Sequence, residues 1–308
     1  MAHTQRRIRM SAGDRIFTVI NAAILILIFI ITLYPLIYVV SASISSPDAV
    51  ASGKMLLWPV DVTLDGYKYI LKYNDIWLGY ANTIFYTVVG TIVNLFFTLT
   101  CAYATSRRDM VGRNVIMTLF LITMYFSGGT IPTYLNWLEF GLVNTRTIML
   151  LNGAVSAYNL IVARTFFANS IPWDLHEAAF LDGCSNIRLF LKIVLPLSAP
   201  IVVVMTLYYG VAHWNSYFNA MIYLSDRSKY PLQVFLREIL TKGQFAADAI
   251  QSGASFTEEE MIAMMKETET ANLIKYCVII VSTVPMMILY PFLQRFVTTG
   301  VMIGAVKG

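Results

Sequence analysis

The sequence predicts an all-α polytopic membrane protein with six transmembrane helices and one short helix in the cytoplasm. Two observations carry this prediction. Hydrophobic residues make up 57% of the 308-residue chain and charged residues only 13%, whereas a typical soluble domain carries about 25% charged residues. The apolar residues also fall into long runs, and about 20 such residues cross a bilayer as a helix. The same composition excludes intrinsic disorder and a disulfide scaffold.

Six apolar segments of the chain are candidate transmembrane helices. In order they are Ile16–Ser43, Ala81–Ala104, Val115–Leu138, Ile148–Ala163, Leu197–Leu224 and Ala271–Phe292. The fourth segment is the shortest. The first follows basic residues as a signal peptide does, but its apolar stretch is longer than a signal core of about 7–15 residues. We therefore interpret it as a retained membrane anchor.

The charged residues predict the orientation of these segments. With the N-terminus inside, the inner segments carry twelve basic and five acidic residues, and the outer segments carry ten basic and thirteen acidic residues. Because cytoplasmic segments are enriched in Lys and Arg, both termini are expected in the cytoplasm. The clearest marker is the turn that holds Arg107, Arg108 and Arg113. The net charge of +4 is too small and too scattered to indicate nucleic-acid binding.

The six segments contain no Asp or Glu. Ion-coupled carriers usually hold ionisable groups near the bilayer centre, so coupling to protons or sodium through this chain is disfavoured. The energy for any uphill transport is therefore expected to come from another subunit.

The cytoplasmic segment between the fourth and fifth spans is strongly patterned. Ser170 is a candidate N-cap, Pro172 lies in the first turn, and Gly183 supplies a left-handed stop. These signals predict a helix from Pro172 to Asp182, too short to cross the bilayer. Helical spacing places its Trp173, Glu177, Phe180 and Leu181 on one face. From periodicity alone, a connector that packs on its own membrane domain is an equal alternative.

Residues 169–196 resemble the EAA loop of ATP-binding-cassette (ABC) importer permeases. Glu177-Ala178-Ala179, then Gly183, then Leu195-Pro196 reproduce the spacing of that family, and Leu181-Asp182-Gly183 matches in residue type. Cys184 departs from the pattern, because a small residue, often Ala, is usual there. The resemblance implies a type I ABC importer membrane domain, with the loop as a cytoplasmic coupling helix that docks in a groove of a separate ATPase subunit.

By this resemblance, Glu177 makes a polar contact with the ATPase, and small residues permit close docking. The residues assigned to ATPase coupling are Glu177, Ala178, Ala179, Asp182, Gly183, Leu195 and Pro196. The implied division of the chain is a tail, first helix and outer loop at 1–76, an ABC transmembrane type-1 domain at 77–292, and a cytoplasmic tail at 293–308.

The resemblance extends over nearly the whole chain. Asn82-Thr83, Trp214-Asn215 and the ending Gly300–Gly308 look like the MalG-type subunits of carbohydrate uptake transporters, in particular the LplC-like branch. This implies a permease in the bacterial plasma membrane with several partners. They are a second, different permease subunit, two ABC ATPase subunits, an extracellular solute-binding lipoprotein and membrane lipid. Gly300–Gly308 is a candidate second contact with the ATPase, and a frayed terminus is the alternative.

The chain has no Gly-x-x-x-x-Gly-Lys-Ser/Thr phosphate loop, so ATP is expected on the partner subunits and no cofactor on this chain. No residues suggest a catalytic or metal site, and we expect no enzymatic activity.

The fifth span is the candidate substrate path. Its polar and aromatic residues are Tyr209, His213, Trp214, Asn215, Tyr217 and Asn219. Aromatic faces with amide and hydroxyl groups suit a sugar. The alternative is an interfacial aromatic belt with polar groups that pack helices. The long outer segment Ser225–Thr270 is expected either to face the solute-binding protein or to be a solvated surface loop.

The sequence thus predicts a permease subunit of an ATP-driven importer that takes up sugars, above all oligosaccharides. The alternatives are an ABC permease for a non-sugar solute and a secondary carrier.

Overall fold

The computed structural model describes residues 11–252 and 256–305. These residues are helical, with turns between the helices. The helices are α1 (Ala12–Ser43), α2 (Pro47–Ala51), α3 (Asp65–Lys72), α4 (Asn74–Ser106), α5 (Arg113–Tyr125), α6 (Thr130–Glu139), α7 (Arg146–Leu151), α8 (Ala157–Ser170), α9 (Trp173–Leu181), α10 (Asn186–Leu189), α11 (Leu195–Leu197), α12 (Ala199–Trp214), α13 (Phe218–Tyr223), α14 (Leu232–Gln251) and α15 (Glu258–Ala305). Two short turns complete them, a π-helical turn at Phe190–Val194 and a 3-10 turn at Arg227–Lys229.

The chain packs as two units. The first is built from the described parts of residues 1–70 and 242–280, and the second from residues 71–241 and the described part of 281–308. Arg6, Arg7 and Arg9, which entered the prediction of orientation, lie outside the described residues, as do the last three residues of the predicted tail contact.

Three helices are continuous, long and apolar enough to cross a membrane: Gly13–Ser43, Asn74–Ser106 and Glu258–Leu289. The first, second and sixth predicted spans lie inside α1, α4 and α15. The apolar side chains of α1 are exposed almost throughout, as expected of a surface that faces lipid. Its N-terminus is fixed by a capping box between Ser11 and Asp14.

The third predicted span is bent, and the fifth is interrupted where α12 ends at Trp214 and α13 begins at Phe218, so the expectation of uninterrupted helices is corrected in both. Helices α5 and α6 meet at 119° across a break at Gly129, whose φ is +86°. The segment Asn186–Leu197 meets α12 at 82°. Among the described residues, three helices are thus continuous spans, or five helical segments qualify if each bent pair is one span.

The fourth predicted span is also interrupted. Helix α7 ends at Leu151, Gly153 takes φ +77°, and the Ser156 side chain caps the start of α8. Asn94 of α4 donates hydrogen bonds to the carbonyls of Gly153 and Ala154 at 3.3 and 2.8 Å. These hydrogen bonds satisfy backbone carbonyls at the break between α7 and α8. An apolar run in the sequence does not reveal such a break.

The predicted outer loop at Ser225–Thr270 is largely helical, because α14 and the start of α15 occupy most of it. Its first residues are held by hydrogen bonds. Asn82 donates to the carbonyls of Ser228 and Tyr230 at 2.8 and 3.0 Å and accepts from Arg146 at 3.0 Å.

Candidate functional site

Helix α9, which the sequence predicts to be cytoplasmic, begins directly after a proline. Helix α8 runs to Ser170, and Pro172 is the residue that precedes the first turn of α9, without a side-chain cap. The prediction of Ser170 as N-cap is therefore wrong, because that residue is the last of the preceding helix. The predicted helix itself, Pro172 to Asp182, is confirmed within one residue at each end.

The C-terminus of α9 is closed by a left-handed glycine, as predicted. Gly183 has φ +72°, and its N–H donates to the Phe180 carbonyl at 3.0 Å. The Cys184 N–H donates to the Ala179 carbonyl at 2.9 Å, which completes a Schellman motif. A Cβ atom at Gly183 would meet no atom of the described chain within 4 Å. The glycine is therefore required here by its backbone conformation, not by crowding within the chain.

One face of α9 is buried against the membrane helices. His176 is 4% exposed and lies between two aromatic rings, Tyr103 of α4 at 5.9 Å and Trp173 at 5.0 Å, both nearly parallel to it. Phe190 stacks on Tyr103 at 4.9 Å. Burial lowers the pKa of His176. The imidazole is therefore neutral near pH 7, and it acts as part of this aromatic stack.

The opposite face of α9 is exposed. Glu177, Ala178, Asp182 and Gly183 are exposed, and Leu181 is 90% exposed. The described part of the chain therefore leaves this face uncovered.

Two residues that were assigned to this surface are placed elsewhere. Trp173 turns inward onto His176, so it does not share a face with Glu177. Ala179 is 6% exposed and belongs to a hydrophobic core with Phe167 and Leu189. Its small side chain allows α9 to approach the chain's own helices closely.

The end of the loop is a continuous helical segment with one bend. Val194 is buried, Leu195 is half-buried and Pro196 is exposed. The chain changes direction at Ser198, directly before α12 begins at Ala199.

Arg107 ties α9 to the end of α4, a role that sequence reasoning missed. Its guanidinium donates two hydrogen bonds to Asp109 and one to the Asn186 side chain at 2.5 Å. It also lies 5.3 Å from the Phe180 ring centre. The hydrogen bonds to Asp109 raise the pKa of Arg107 and lower the pKa of Asp109. An arginine directly after an apolar helix and two residues before an aspartate was the available signal.

The six residues of the predicted substrate path fall into two groups, and those of the first group lie on α12. Tyr209 shares a 2.6 Å hydrogen bond with Thr98. His213 Nε2 lies 2.6 Å from Asn94 Oδ1, and Trp214 Nε1 donates to the Ser282 carbonyl at 2.8 Å. These contacts favour the alternative of helix packing for the three residues, because their polar atoms are already used inside the chain.

The other three residues of the predicted substrate path are more accessible to solvent. Asn215 is exposed, and Tyr217 and Asn219 are half-buried. The Arg237 guanidinium lies 4.6 Å from the Tyr217 ring centre, within the range of a cation–π contact. A role of these residues in the substrate path stays a prediction.

No family model matches the chain. It is 38% identical over 295 residues to the polygalacturonan/rhamnogalacturonan transport system permease protein YtcP of Bacillus subtilis, which covers 96% of this chain and 99% of the relative. It is 37% identical to protein LplC of the same organism, with 96% of both chains covered. The chain belongs to the permease subunits of carbohydrate ABC importers. This membership confirms the resemblance that residues 169–196 indicated.

A solved structure of a carbohydrate ABC importer supports the same assignment. The chain matches a bacterial ABC transporter involved in the import of the acidic polysaccharide alginate with a TM-score of 0.80 and 35% identity. The match covers 94% of this chain and 99% of that one. The protein is thus an all-α integral protein of the bacterial inner membrane, a transport permease and not an enzyme. Its family works with ATPase and solute-binding partners.

Proposed function

We propose that this permease is one of two different membrane subunits of an importer in which two ATPase subunits bind ATP and an extracellular lipoprotein delivers an oligosaccharide. The observation that carries the proposal is the two-sided burial of α9. Its inner face is stacked on α4, whereas Glu177, Ala178 and Leu181 are open to a partner. A groove that receives an amphipathic helix fits this exposed face.

The contacts of α9 explain how its movement would reach the membrane. The stack of Tyr103, His176 and Trp173 links α9 to α4, and the contact of the Arg107 guanidinium with the Phe180 ring links α9 to the residue that follows α4. Packed interiors transmit displacement because they are close-packed and hardly compressible. A displacement of α9 by the closing ATPases would therefore move α4 with it, and the site would alternate between inward and outward access.

The proposed orientation places α9 and both termini in the cytoplasm. It rests on the excess of Lys and Arg in the segments on that side. Arg107 directly follows α4 and Arg113 begins α5, where that rule expects them. Arg164, in the middle of α8, donates to the Thr105 carbonyl near the same end of α4. Labelling of cysteines from either side of the membrane tests this orientation.

The substrate that we propose is an acidic oligosaccharide. A relative named for polygalacturonan and rhamnogalacturonan transport and an importer of alginate both point to sugars that carry carboxylates. In this chain Arg237 is exposed beside the half-buried Tyr217, and makes no ion pair with any described residue. A guanidinium next to an aromatic ring offers a carboxylate partner and a stacking surface for one sugar unit.

Transport by the reconstituted complex with its binding protein tests this substrate class. We expect uptake of oligogalacturonides, and we expect Arg237→Gln to slow it severalfold while neutral oligosaccharides are unaffected. Lys54→Gln is the matched control, because Lys54 is another exposed cation outside the path. Uptake restricted to neutral sugars would contradict the acidic substrate, and uptake of amino acids alone would contradict the sugar importer.

A further inference from the structure

A cleft opens beside the buried face of α9, at the ends of α4 and α8. Its walls are formed by Ser106, Arg107, Arg108, Phe167, Ala168, Ile171, Trp173 and His176. One side is therefore basic and polar, and the other is apolar. The cleft is shallow: its enclosed space measures about 30 Å³, within about 290 Å³ that includes the open solvent at its mouth.

A buried polar atom at this cleft lacks a partner. His176 is 4% exposed, and its Nε2 makes no hydrogen bond with any described residue. Its other nitrogen, Nδ1, lies 3.4 Å from the Pro172 carbonyl oxygen, which can only accept, so Nδ1 carries the proton of the neutral ring. Nε2 then holds a lone pair that the surrounding side chains enclose, so a ligand group reaches it only when those side chains move apart. A buried polar atom without a partner costs about 1–3 kcal/mol, so a donor from a ligand would be stabilising here.

Two further groups at the cleft suit an anion. Arg108 is exposed and makes no ion pair or hydrogen bond within the described chain. Arg107, by contrast, is committed to Asp109 and Asn186. The N-terminus of α9 has no side-chain cap, since Pro172 cannot supply one. Free N–H groups at a helix N-terminus favour negative charge.

We propose that this cleft binds the glycerophosphate headgroup of an anionic phospholipid from the cytoplasmic leaflet. The phosphate lies against Arg108 and the first turn of α9, and a headgroup hydroxyl donates to His176 Nε2. The lipid source follows from position, because the cleft lies at the end of α4, a helix long and apolar enough to cross a membrane, and has the apolar wall of Phe167, Ala168 and Ile171. Basic pockets between transmembrane helices on the cytoplasmic side bind such headgroups.

The inference gives the lipid a role beyond anchoring. Since His176 and Trp173 belong to the stack that joins α9 to α4, a headgroup in this cleft would hold the coupling helix in register with the membrane helices. This part rests on the proposed cytoplasmic orientation and ATPase docking. The expected result is that anionic lipid raises the ATPase activity that the loaded binding protein stimulates.

The test uses the complete transporter in nanodiscs of phosphatidylcholine with increasing phosphatidylglycerol, and native mass spectrometry of retained lipid. We expect Arg108→Gln to raise the phosphatidylglycerol fraction needed for half-maximal stimulation about fivefold, from about 1 kcal/mol per basic residue near a charged surface. Arg188→Gln, at an exposed arginine of α10 in the segment that follows α9, is the matched control and should leave that fraction unchanged.

A second variant tests the hydroxyl. His176→Phe keeps an aromatic ring in the stack but removes Nε2, so it should abolish a preference for phosphatidylglycerol over phosphatidic acid, which has the phosphate without the hydroxyls. Equal responses of the Arg108 and Arg188 variants would overturn the proposal. So would replacement of the lipid by inorganic phosphate, which indicates a free-anion site, or loss of the ATPases from Arg108→Gln in every lipid, which indicates a protein contact. Stimulated ATPase activity in phosphatidylcholine alone would still support the proposed function, because that measurement does not depend on the lipid site.

Discussion

Helices α9 and α12 both carry the polar and aromatic residues that the sequence assigns to function, but the structure uses them in opposite ways. In α9 the inner side chain His176 is buried, and the outer ones, Glu177 and Leu181, are left open. In α12 the polar atoms of Tyr209 and His213 form hydrogen bonds with residues of α4.

The difference shows how a functional surface is distinguished from a packing surface. Polar residues within a membrane helix need partners because no water is present to satisfy them, so their occurrence alone does not indicate a substrate path. An exposed apolar residue such as Leu181, on a helix in water, has the opposite meaning. It contributes almost no burial to the folded chain, so it is available for the contact with the ATPase that we propose.

The largest effect is expected from reversing a charge on the open face of α9. Glu177→Lys should reduce stimulated ATP hydrolysis and uptake about tenfold or more, the equivalent of about 1.4 kcal/mol, because it places the wrong charge at the proposed contact. Activity of the reconstituted complex measures this. Glu139→Lys, the same reversal at an exposed residue of α6, should be neutral, and equal effects of both variants would remove the special role of α9.

The largest effect on stability, as opposed to activity, is expected where α12 packs on α4. A Cβ atom at Gly90 would lie 2.5 Å from the His213 ring, so Gly90→Ala should lower the free energy of unfolding by about 1–3 kcal/mol. At Gly210 a Cβ atom would lie 3.8 Å from Thr91, an ordinary contact, and Gly210→Ala should be tolerated. Thermal unfolding of the purified complex compares the two variants.

Removal of the His213 ring separates packing from transport. The double variant Gly90→Ala with His213→Ala should recover part of the stability lost by Gly90→Ala alone, because the clash is relieved. If Gly90→Ala left stability unchanged but stopped transport, Tyr209 and His213 would belong to the substrate path after all.

The smallest effect on stability is expected at two glycines in equivalent turns. Gly183 after α9 and Gly141 after α6 have φ +72° and +66°, each ends a helix with the same pair of hydrogen bonds, and neither is crowded. Replacement of either by leucine should cost about 1–2 kcal/mol of backbone strain. Only Gly183→Leu should also reduce stimulated ATP hydrolysis, and an equal loss from Gly141→Leu would show strain alone to be the cause.

Sequence reasoning was most successful where local signals determine the structure. The helix α9 and its left-handed stop at Gly183 followed from the proline and glycine signals at its two ends, although Ser170 was wrongly predicted as its N-cap. The continuous spans α1, α4 and α15 followed from hydrophobicity. The breaks in the other spans were missed, because they depend on tertiary hydrogen bonds such as those from Asn94 to the backbone before α8.

The site was predicted less completely than the fold. Spacing indicated which residues could face a partner, but it placed Trp173 and Ala179 on the exposed side, since periodicity does not reveal which face of a helix its own chain covers. The link through Arg107 was also missed. Its partners Asn186 and Phe180 are distant in sequence, and only the folded chain brings them together.

Accessibility of Leu181 tests the central claim most directly. Leu181→Cys, in a background with Cys184→Ala, should react rapidly with a maleimide added from the cytoplasmic side to the permease without ATPases, because residue 181 is 90% exposed. Assembly with the ATPases should slow this reaction about tenfold or more, whereas Val111→Cys, at a site that is 95% exposed, should react at the same rate in both states. Unchanged labelling of residue 181 in the assembled transporter would contradict the assignment of α9 as the coupling helix.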